Sequence, residues 1–392
     1  MLTLQDVLAA RDRIKNHIEV TPCPRADVFS EMCGAQIYFK LENLQRTGSF
    51  KERGAANKLA LLTPEERGRG VVAASAGNHA QGVAYNAQRL GIKSTIVMPE
   101  QTPLIKAQAT KKFGATVILE GASYDDAFAE ARRLEQEHGY VLIHAFDDDA
   151  IIAGQGTCGL EILEQVPDLD VLVASIGGGG FLGGMALAMK SLKPSLRIVG
   201  VESSLLPKMR AALDAGAPVS VPAATTLADG IAVKRVGERT LPLFRKYVDE
   251  IVGVDDEEVA NAILLLIERE KTVAEGAGAA PAAALLQGKI SRLTPGTKVV
   301  CAISGGNIDV NLIARIIERG LVKEGRRVML SLRVPDRPGM LAGVLATVAG
   351  ERANVLEVHH NRAFLPGAIG DTEINLTLET KGPEHVEQLT TA

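Results

Sequence analysis

Short apolar runs rich in Val, Ile and Ala recur along the chain, each followed by residues with helical spacing, and this alternation constrains the fold most. From Val71 to Ile118 the order is strand (Val71–Ser75), helix (near His79–Leu90), strand (Ser94–Met98), helix (near Leu104–Phe113) and strand (Thr116–Leu119). A helix near Tyr124–His138 and a short strand Val141–His144 follow. Uniformly apolar strands are buried on both faces, the pattern of parallel sheets joined by right-handed βαβ crossovers. A second series opens with a helix over Ile151–Gln165 and continues with strand Val171–Ser175, helix Phe181–Leu192 and strand Arg197–Glu202. It goes on through strand Tyr247–Val254, helices Asp256–Glu270 and Ala277–Leu286, and strand Lys298–Ile303; helix Ile308–Arg319 closes it. An amphipathic helix within Leu4–Ile18 and a strand over Ile37–Glu42 precede both. Two α/β lobes, split near residue 150, are predicted.

With 392 residues the chain exceeds one compact core. The net charge of −4 and the lack of any Lys/Arg-rich run argue against a nucleic-acid partner. The first residues alternate apolar and charged side chains without a secretory apolar core, and no window is long enough to span a bilayer. Cys23, Cys33, Cys158 and Cys301 lack metal or disulfide spacing, so a soluble cytoplasmic protein without a metal site is expected.

Three turns carry candidate chemistry. Lys51 follows a Gly48-Ser49 turn at the start of a helix over Glu52–Leu62. The helix dipole and partial burial both lower an ammonium pKa there, freeing a neutral amine for Schiff-base chemistry. Ser75-Ala76-Gly77-Asn78-His79 links a strand to a helix N-terminus, where unpaired N–H groups suit an anion, although an ordinary capped turn reads the same way. Gly177-Gly178-Gly179-Gly180 lies between a strand and a helix, a phosphate cradle in which backbone closes on the anion. A dinucleotide site is the rival reading, and Glu202 at the end of the next strand keeps it open.

Ser49-Phe50-Lys51-Glu52-Arg53-Gly54-Ala55 resembles the cofactor-lysine motif of the pyridoxal-phosphate (PLP) threonine/serine dehydratases. The resemblance covers about residues 5–320 and recurs at the other two turns and at Ser304-Gly305-Gly306-Asn307. It implies two parallel-sheet lobes of the tryptophan-synthase-β-like kind (fold type II). Residues 1–54 and 146–321 would form the large PLP-binding lobe, and 55–145 a smaller mobile lobe on the substrate side. It also implies pyridoxal 5'-phosphate held by Lys51 beside Phe50, with its phosphate on Gly177–Gly180. Asn78 would meet the ring hydroxyl oxygen, Ser304 the ring nitrogen, and Glu275 would lie near the ring edge. Ser75, Ala76, Gly77, Asn78 and His79 would grip the substrate carboxylate, His79 serving more as a structural residue than as an acid or base.

Two departures bear on the reaction. Related serine racemases carry a hydroxyl residue where Ala76 stands, so proton chemistry on one face, and hence elimination, is favoured. Where some relatives bind a divalent cation through Glu and Asp, Glu202 is present but Lys208 replaces the Asp; its ammonium would stand in for the ion through a salt bridge. The expected reaction is β-elimination on L-threonine to 2-oxobutanoate and ammonia, with L-serine giving pyruvate. Serine racemase or another β-elimination/replacement activity, and a non-catalytic amino-acid sensor, are the alternatives.

After a polar linker at 322–327, residues 328–392 read as strand Val328–Val334, helix Met340–Val348, strands Asn354–Asn361 and Glu373–Leu378, and a helix from Glu384. This order, with the turn Asp336–Leu341, resembles an ACT-type α+β (ferredoxin-like) regulatory domain. Gly339, Met340, Leu341 and Asn354 are its candidate effector residues, with isoleucine or valine the implied ligand in isoleucine biosynthesis. A dimerisation module without ligand is the competing reading. Such domains end with another strand, so the unit reads as incomplete, with an edge that pairs elsewhere or stays exposed. A homodimer or homotetramer is expected.

Overall fold

The structure, a computed structural model, describes residues 2–362 and 370–392. Met1–Ile308 form one compact unit and Asp309–Ala392 another.

The first unit holds β1 (Gln36–Leu41), β2 (Val71–Ala74), β3 (Ser94–Met98), β4 (Thr116–Leu119), β5 (Val141–Leu142), β6 (Val171–Ser175), β7 (Arg197–Ser203), β8 (Glu250–Val254) and β9 (Lys298–Ile303). They form a four-stranded sheet ordered β4-β3-β2-β5 and a five-stranded sheet ordered β1-β9-β6-β7-β8. Every pairing in both sheets is parallel.

Strand β2 shows why the runs are uniformly apolar. Val71 and Ala73 pack with Leu59, Val83 and Ile96 on one face, while Val72 and Ala74 pack with Ala127, Ala131 and Leu134 on the other. Successive side chains point to opposite faces, so a sheet covered twice has no polar side. In the larger sheet Leu172, Ala174, Ile198, Val300 and Ala302 share a core with Leu182, Met185 and Met189 of the helix Gly180–Leu192.

The order of the large sheet places the site. Strand β9 lies between β1 and β6, and all three run the same way. The turns that follow them, at Gly48–Lys51, Ser304–Gly306 and Gly177–Gly180, therefore leave the same edge of the sheet side by side. Loops at the carboxyl ends of parallel strands are where such sheets bind ligands.

Some elements differ from expectation. Tyr247 ends a helix, Thr240–Tyr247, and the strand begins only at Glu250. Leu241 and Phe244 are buried at helical spacing, and that apolar face outweighs the β-branched run beyond it. Helices Asp27–Cys33, Pro64–Arg69 and Lys208–Ala215 are additional to those the sequence pattern predicts. The second of these starts at a Thr63/Glu66 capping box with Pro64 in its first position, a local signal that was legible.

In the second unit the helix Val310–Lys323 leads into β10 (Arg327–Pro335). After the helix Met340–Gly350 come β11 (Asn354–Asn361), β12 (Asp371–Glu379) and the helix Pro383–Thr391. The sheet is antiparallel, ordered β10-β12-β11, with Ile374, Leu376 and Leu378 packed against Val348 and Leu389. The helix Val310–Lys323, expected to close the large lobe, belongs by its packing to this unit. It lies against β10, and Glu318 pairs with Arg327 at 3.6 Å. Among the described residues no helix is long and apolar enough to cross a membrane.

Candidate active site

Lys51 is the first residue of the helix Lys51–Ala60. The turn before it is stitched to the turn after β9: the Phe50 N–H donates to the Ser304 carbonyl at 3.0 Å, and the Gly306 N–H to the Gly48 carbonyl at 2.9 Å. The helix itself is anchored by Arg53, which is 1% exposed. Its guanidinium donates to both oxygens of Glu42 (2.6 and 2.8 Å) and both of Glu161 (2.7 Å each). Lys40 donates to the same Glu161 at 2.7 Å, giving a network of two buried cations with the buried Glu42 and the partly buried Glu161. Lys51 thus starts from a fixed backbone. Its Nζ donates to the Ala145 carbonyl at 2.9 Å. Burial pulls the amine down to about 8, against the attraction of Glu275, so a usable fraction is neutral near physiological pH.

The glycine run abuts this lysine through aromatic rings. Phe50 stacks on Phe181, the second residue of the glycine-capped helix, with centroids 3.9 Å apart and planes 22° from parallel. The four glycines do different jobs. A Cβ on Gly178 would meet the Phe146 ring at 2.2 Å, and one on Gly180 the Phe146 carbonyl at 2.8 Å. Gly179 caps the helix at φ +98° and lies against Thr240, whose hydroxyl donates to the Gly178 carbonyl at 2.7 Å. Only at Gly177 would a side chain meet nothing closer than 3.6 Å of protein. Three of the four glycines are thus required by the protein's own packing, whether or not their backbone N–H groups meet a ligand. Gly183 is the first residue of this helix turn whose N–H reaches a carbonyl behind it, that of Gly179, and the N–H groups before it are left without a helical carbonyl, an end that suits an anion.

The Ser75–His79 loop comes to the same place from the small sheet. Asn78 starts the helix Asn78–Arg89, and its Nδ2 donates to Glu275 Oε1 at 2.6 Å. Its Oδ1 accepts from Asn307 Nδ2 at 2.8 Å. Burial and the charge of Asp229 push the Glu275 carboxyl up to about 8. The Ser75 hydroxyl accepts from the Gly77 N–H at 3.2 Å, which removes one donor from a substrate anion. Ala76 packs on the core of the small sheet. The His79 ring is buried and bonded through Nε2 to the Ile143 carbonyl at 2.8 Å. Burial and the nearby Lys51 hold it neutral, near 3, so the ring offers a ligand no positive charge.

Ser304 is buried beside Ser175, Oγ to Oγ at 3.4 Å, beyond the usual reach of a hydroxyl pair, so its O–H is not claimed by that neighbour. The expected salt bridge at Glu202 is not formed. Both Glu202 oxygens accept backbone N–H groups, of Met209 at 3.0 Å and Arg210 at 3.3 Å, and the fully buried Lys208 Nζ has no hydrogen-bond partner among the described residues. The first turn of the helix Lys208–Ala215 outcompetes the lysine for the carboxylate. Among the described residues no group of His, Cys, Asp and Glu is arranged to hold a metal ion. In the second unit Gly339 caps the helix Met340–Gly350 at φ +92°, Leu341 packs on that unit's core, and Asn354 donates to Glu379 at 3.3 Å.

Several residues at the site were not singled out from sequence. His144 Nδ1 accepts the N–H groups of Phe146 (3.2 Å) and Asp147 (2.9 Å), a turn that aims the Ala145 carbonyl at Lys51 and Phe146 at the glycines. Its position just past β5, at a strand's carboxyl end, was the available signal. Thr240 and the segment Asp229–Ile231, which lies 3.6 Å from the Cβ position at Gly177 and would bring a Cβ on Gly230 to 3.3 Å from Glu275 Oε1, carried none; Asn307 stood out only as the end of the Ser304-Gly305-Gly306-Asn307 turn.

A model of the pyridoxal-phosphate dependent enzyme family matches residues 14–305. The chain belongs to this family. It is 51% identical over 389 residues to an L-threonine ammonia-lyase of Thermotoga maritima, covering 99% of this chain and 96% of the relative. Among solved structures it is similar to the processed form of threonine deaminase isoform 2 from Solanum lycopersicum, with TM-score 0.77, 36% identity and coverage of 80% of this chain and 86% of that one. It is also similar to serine racemase from Dictyostelium discoideum, with TM-score 0.74, 36% identity and coverage of 79% and 99%. As a family member it uses pyridoxal 5'-phosphate. The residues suit that group: an amine lowered to about 8, a helix N-terminus with uncrowded Gly177 at its mouth, and a buried hydroxyl at Ser304 not held by its neighbour.

Proposed function

We infer that the chain is a PLP-dependent ammonia-lyase converting L-threonine to 2-oxobutanoate and ammonia. The single observation that carries this is the 51% identity to an L-threonine ammonia-lyase across 99% of the chain. The cofactor, when bound, supplies the electron sink that makes the substrate Cα proton acidic. Lys51 would hold the cofactor through its amine, Ser304 would face the ring nitrogen, and the N–H groups before Gly183 would take the phosphate. Substrate carboxylate would lie on the free N–H groups at the start of the helix Asn78–Arg89. With its amine near 8, Lys51 is suited to accept the Cα proton at neutral pH. The β-hydroxyl leaves as water, and water re-enters on hydrolysis, so threonine yields one 2-oxobutanoate and one ammonia. L-serine, one methyl smaller, would yield pyruvate.

Racemisation is the second reading, favoured by the similarity to a serine racemase structure. Ala76 speaks against it, since a methyl group delivers no proton to the opposite face. Steady-state assays of 2-oxobutanoate, pyruvate and ammonia, with chiral analysis of the recovered serine, test both readings. D-serine formed as fast as pyruvate would overturn the lyase assignment.

The small lobe, residues 55–145, would close over the substrate and exclude water. Lys106–Asp229 at 2.8 Å, which joins it to the segment beside Glu275, supports this. An ACT-like role for the second unit, with isoleucine or valine at Gly339–Leu341 and Asn354, is supported by the β-α-β-β-α order of its last elements. Removing residues 309–392 would then abolish feedback inhibition and leave turnover. A homo-oligomer in the cytoplasm is the expected setting; all four cysteines being free thiols supports the compartment.

A further inference from the structure

A run of hydrogen bonds crosses the site from the lysine turn to Glu275, and its direction is set at one end. The Thr47 carbonyl oxygen can only accept. Asn307 lies 2.8 Å from it, so the amide atom there must be Nδ2. The same Nδ2 has a second hydrogen, and 2.8 Å away lies Asn78, which must therefore turn its Oδ1 toward Asn307. That leaves Nδ2 of Asn78 to donate to Glu275 at 2.6 Å. Gly48 makes room for this arrangement: a Cβ there would lie 2.3 Å from Asn307 Oδ1. Gly305 does the same at the far end, where a Cβ would lie 2.5 Å from Glu275 Oε1.

We propose that Asn307 is a positioning residue that passes the polarity of the Thr47 carbonyl to Asn78 and so keeps the Asn78 Nδ2 turned toward Glu275. Without it, Glu275 alone orients the Asn78 amide, and while that carboxyl keeps its proton it can meet either end of the amide. Asn307 also ties the small lobe, through Asn78, to the turn that bears Lys51. The inference rests on the proposed placement of Asn78 at the cofactor's edge only for its second readout.

Reversing the polarity tests it. In Asn307→Asp the Nδ2 donor is replaced by an acceptor, and Asn78 must flip to donate to it, which sets Oδ1 against Glu275. In the double variant Asn307→Asp/Glu275→Gln the flipped amide accepts instead from the side-chain NH2 that the second substitution introduces. The full chain, stripped of cofactor, is expected to melt about 2–4 °C lower in Asn307→Asp at pH 9, where the Glu275 carboxyl is ionised and has no proton to donate to the flipped amide. Measured against Glu275→Gln alone, the same substitution should cost less, the Thr47 contact being lost in both backgrounds. Pyridoxal phosphate affinity, titrated by visible absorbance, should fall about tenfold in Asn307→Asp and stay low in the double variant, where the Asn78 amide is still flipped. Should Asn307→Asp aggregate, return of soluble protein in the double variant reads the same coupling. Losses that simply add in the double variant, or no loss in Asn307→Asp, would overturn the proposal. Coupling in the melting data without a matching change in affinity would uphold the network and remove Asn78 from the cofactor's edge.

Discussion

The Lys51 Nζ is bonded to the Ala145 carbonyl at 2.9 Å, across 94 residues of sequence, so the amine is oriented before any cofactor arrives. Burial lowers its pKa to about 8, below the unfolded value of about 10.4. The folded state therefore holds this proton less well than the unfolded one. The charged lysine costs stability at all pH below about 8, and the cost is relieved as pH rises from there toward the unfolded value. Lys51→Met should thus raise the melting midpoint of cofactor-free protein at pH 6–7, with the advantage gone by about pH 10. The same variant should show no visible absorbance with pyridoxal phosphate. Bound chromophore in that variant would remove Lys51 as the cofactor's anchor.

Arg53 is the structural counterpart of Lys51, two residues along the same helix. It is shared by Glu42 and Glu161, and replacing it with Met leaves two carboxylates facing one remaining cation, Lys40. A loss of about 3–5 kcal/mol is expected in denaturant unfolding. Arg53→Lys should recover little of it, because an ammonium cannot serve both carboxylates in fork geometry. Burial alone would raise the Glu42 carboxyl, but Arg53 beside it outweighs this and holds it below the ordinary range. Its contribution is present above the unfolded value of about 4.3 and is lost as pH falls through the folded one. Wild type should therefore lose stability steeply in acid, and Arg53→Met less steeply.

What the sequence made legible follows the range of the interactions. Strands β2, β3, β6, β7 and β9 stand out because both faces are buried, and that shows in consecutive residues. The lysine turn and the glycine run are local too. The contacts that finish the site join residues far apart: Asn307 reaches Thr47 across 260 positions and Thr240 reaches Gly178 across 62. No periodicity reports such a pair. The packing that also demands three of the four glycines was not legible for the same reason, since Phe146 and Thr240 crowd them from distant loops.

Glu275 should behave as an acid. Burial and Asp229 raise its pKa to about 8, above the ordinary carboxyl value. Folding then favours the protonated form, so its contribution is greatest below about pH 4.3 and declines as pH rises to the folded value. Glu275→Gln removes the ionisation. Cofactor-free protein carrying it should match wild type near pH 5 and melt higher at pH 8–9. Equal midpoints at both pH values would show a carboxylate already ionised in the neutral range.

The glycine run separates packing from ligand contact. Gly177 has no left-handed backbone and nothing closer than 3.6 Å to its Cβ position, so Gly177→Ala should unfold within about 0.5 kcal/mol of wild type. Gly178→Ala drives a methyl into the Phe146 ring and should cost about 1–3 kcal/mol, partly restored by Phe146→Leu. If backbone at the mouth of the helix approaches a phosphate closely, Gly177→Ala should nonetheless weaken pyridoxal phosphate binding about tenfold or more, by displacing the anion from its N–H donors. Stability unchanged with affinity lost is a result that protein packing cannot produce. Unchanged affinity would move the phosphate away from Gly177, toward N–H groups deeper in the helix turn.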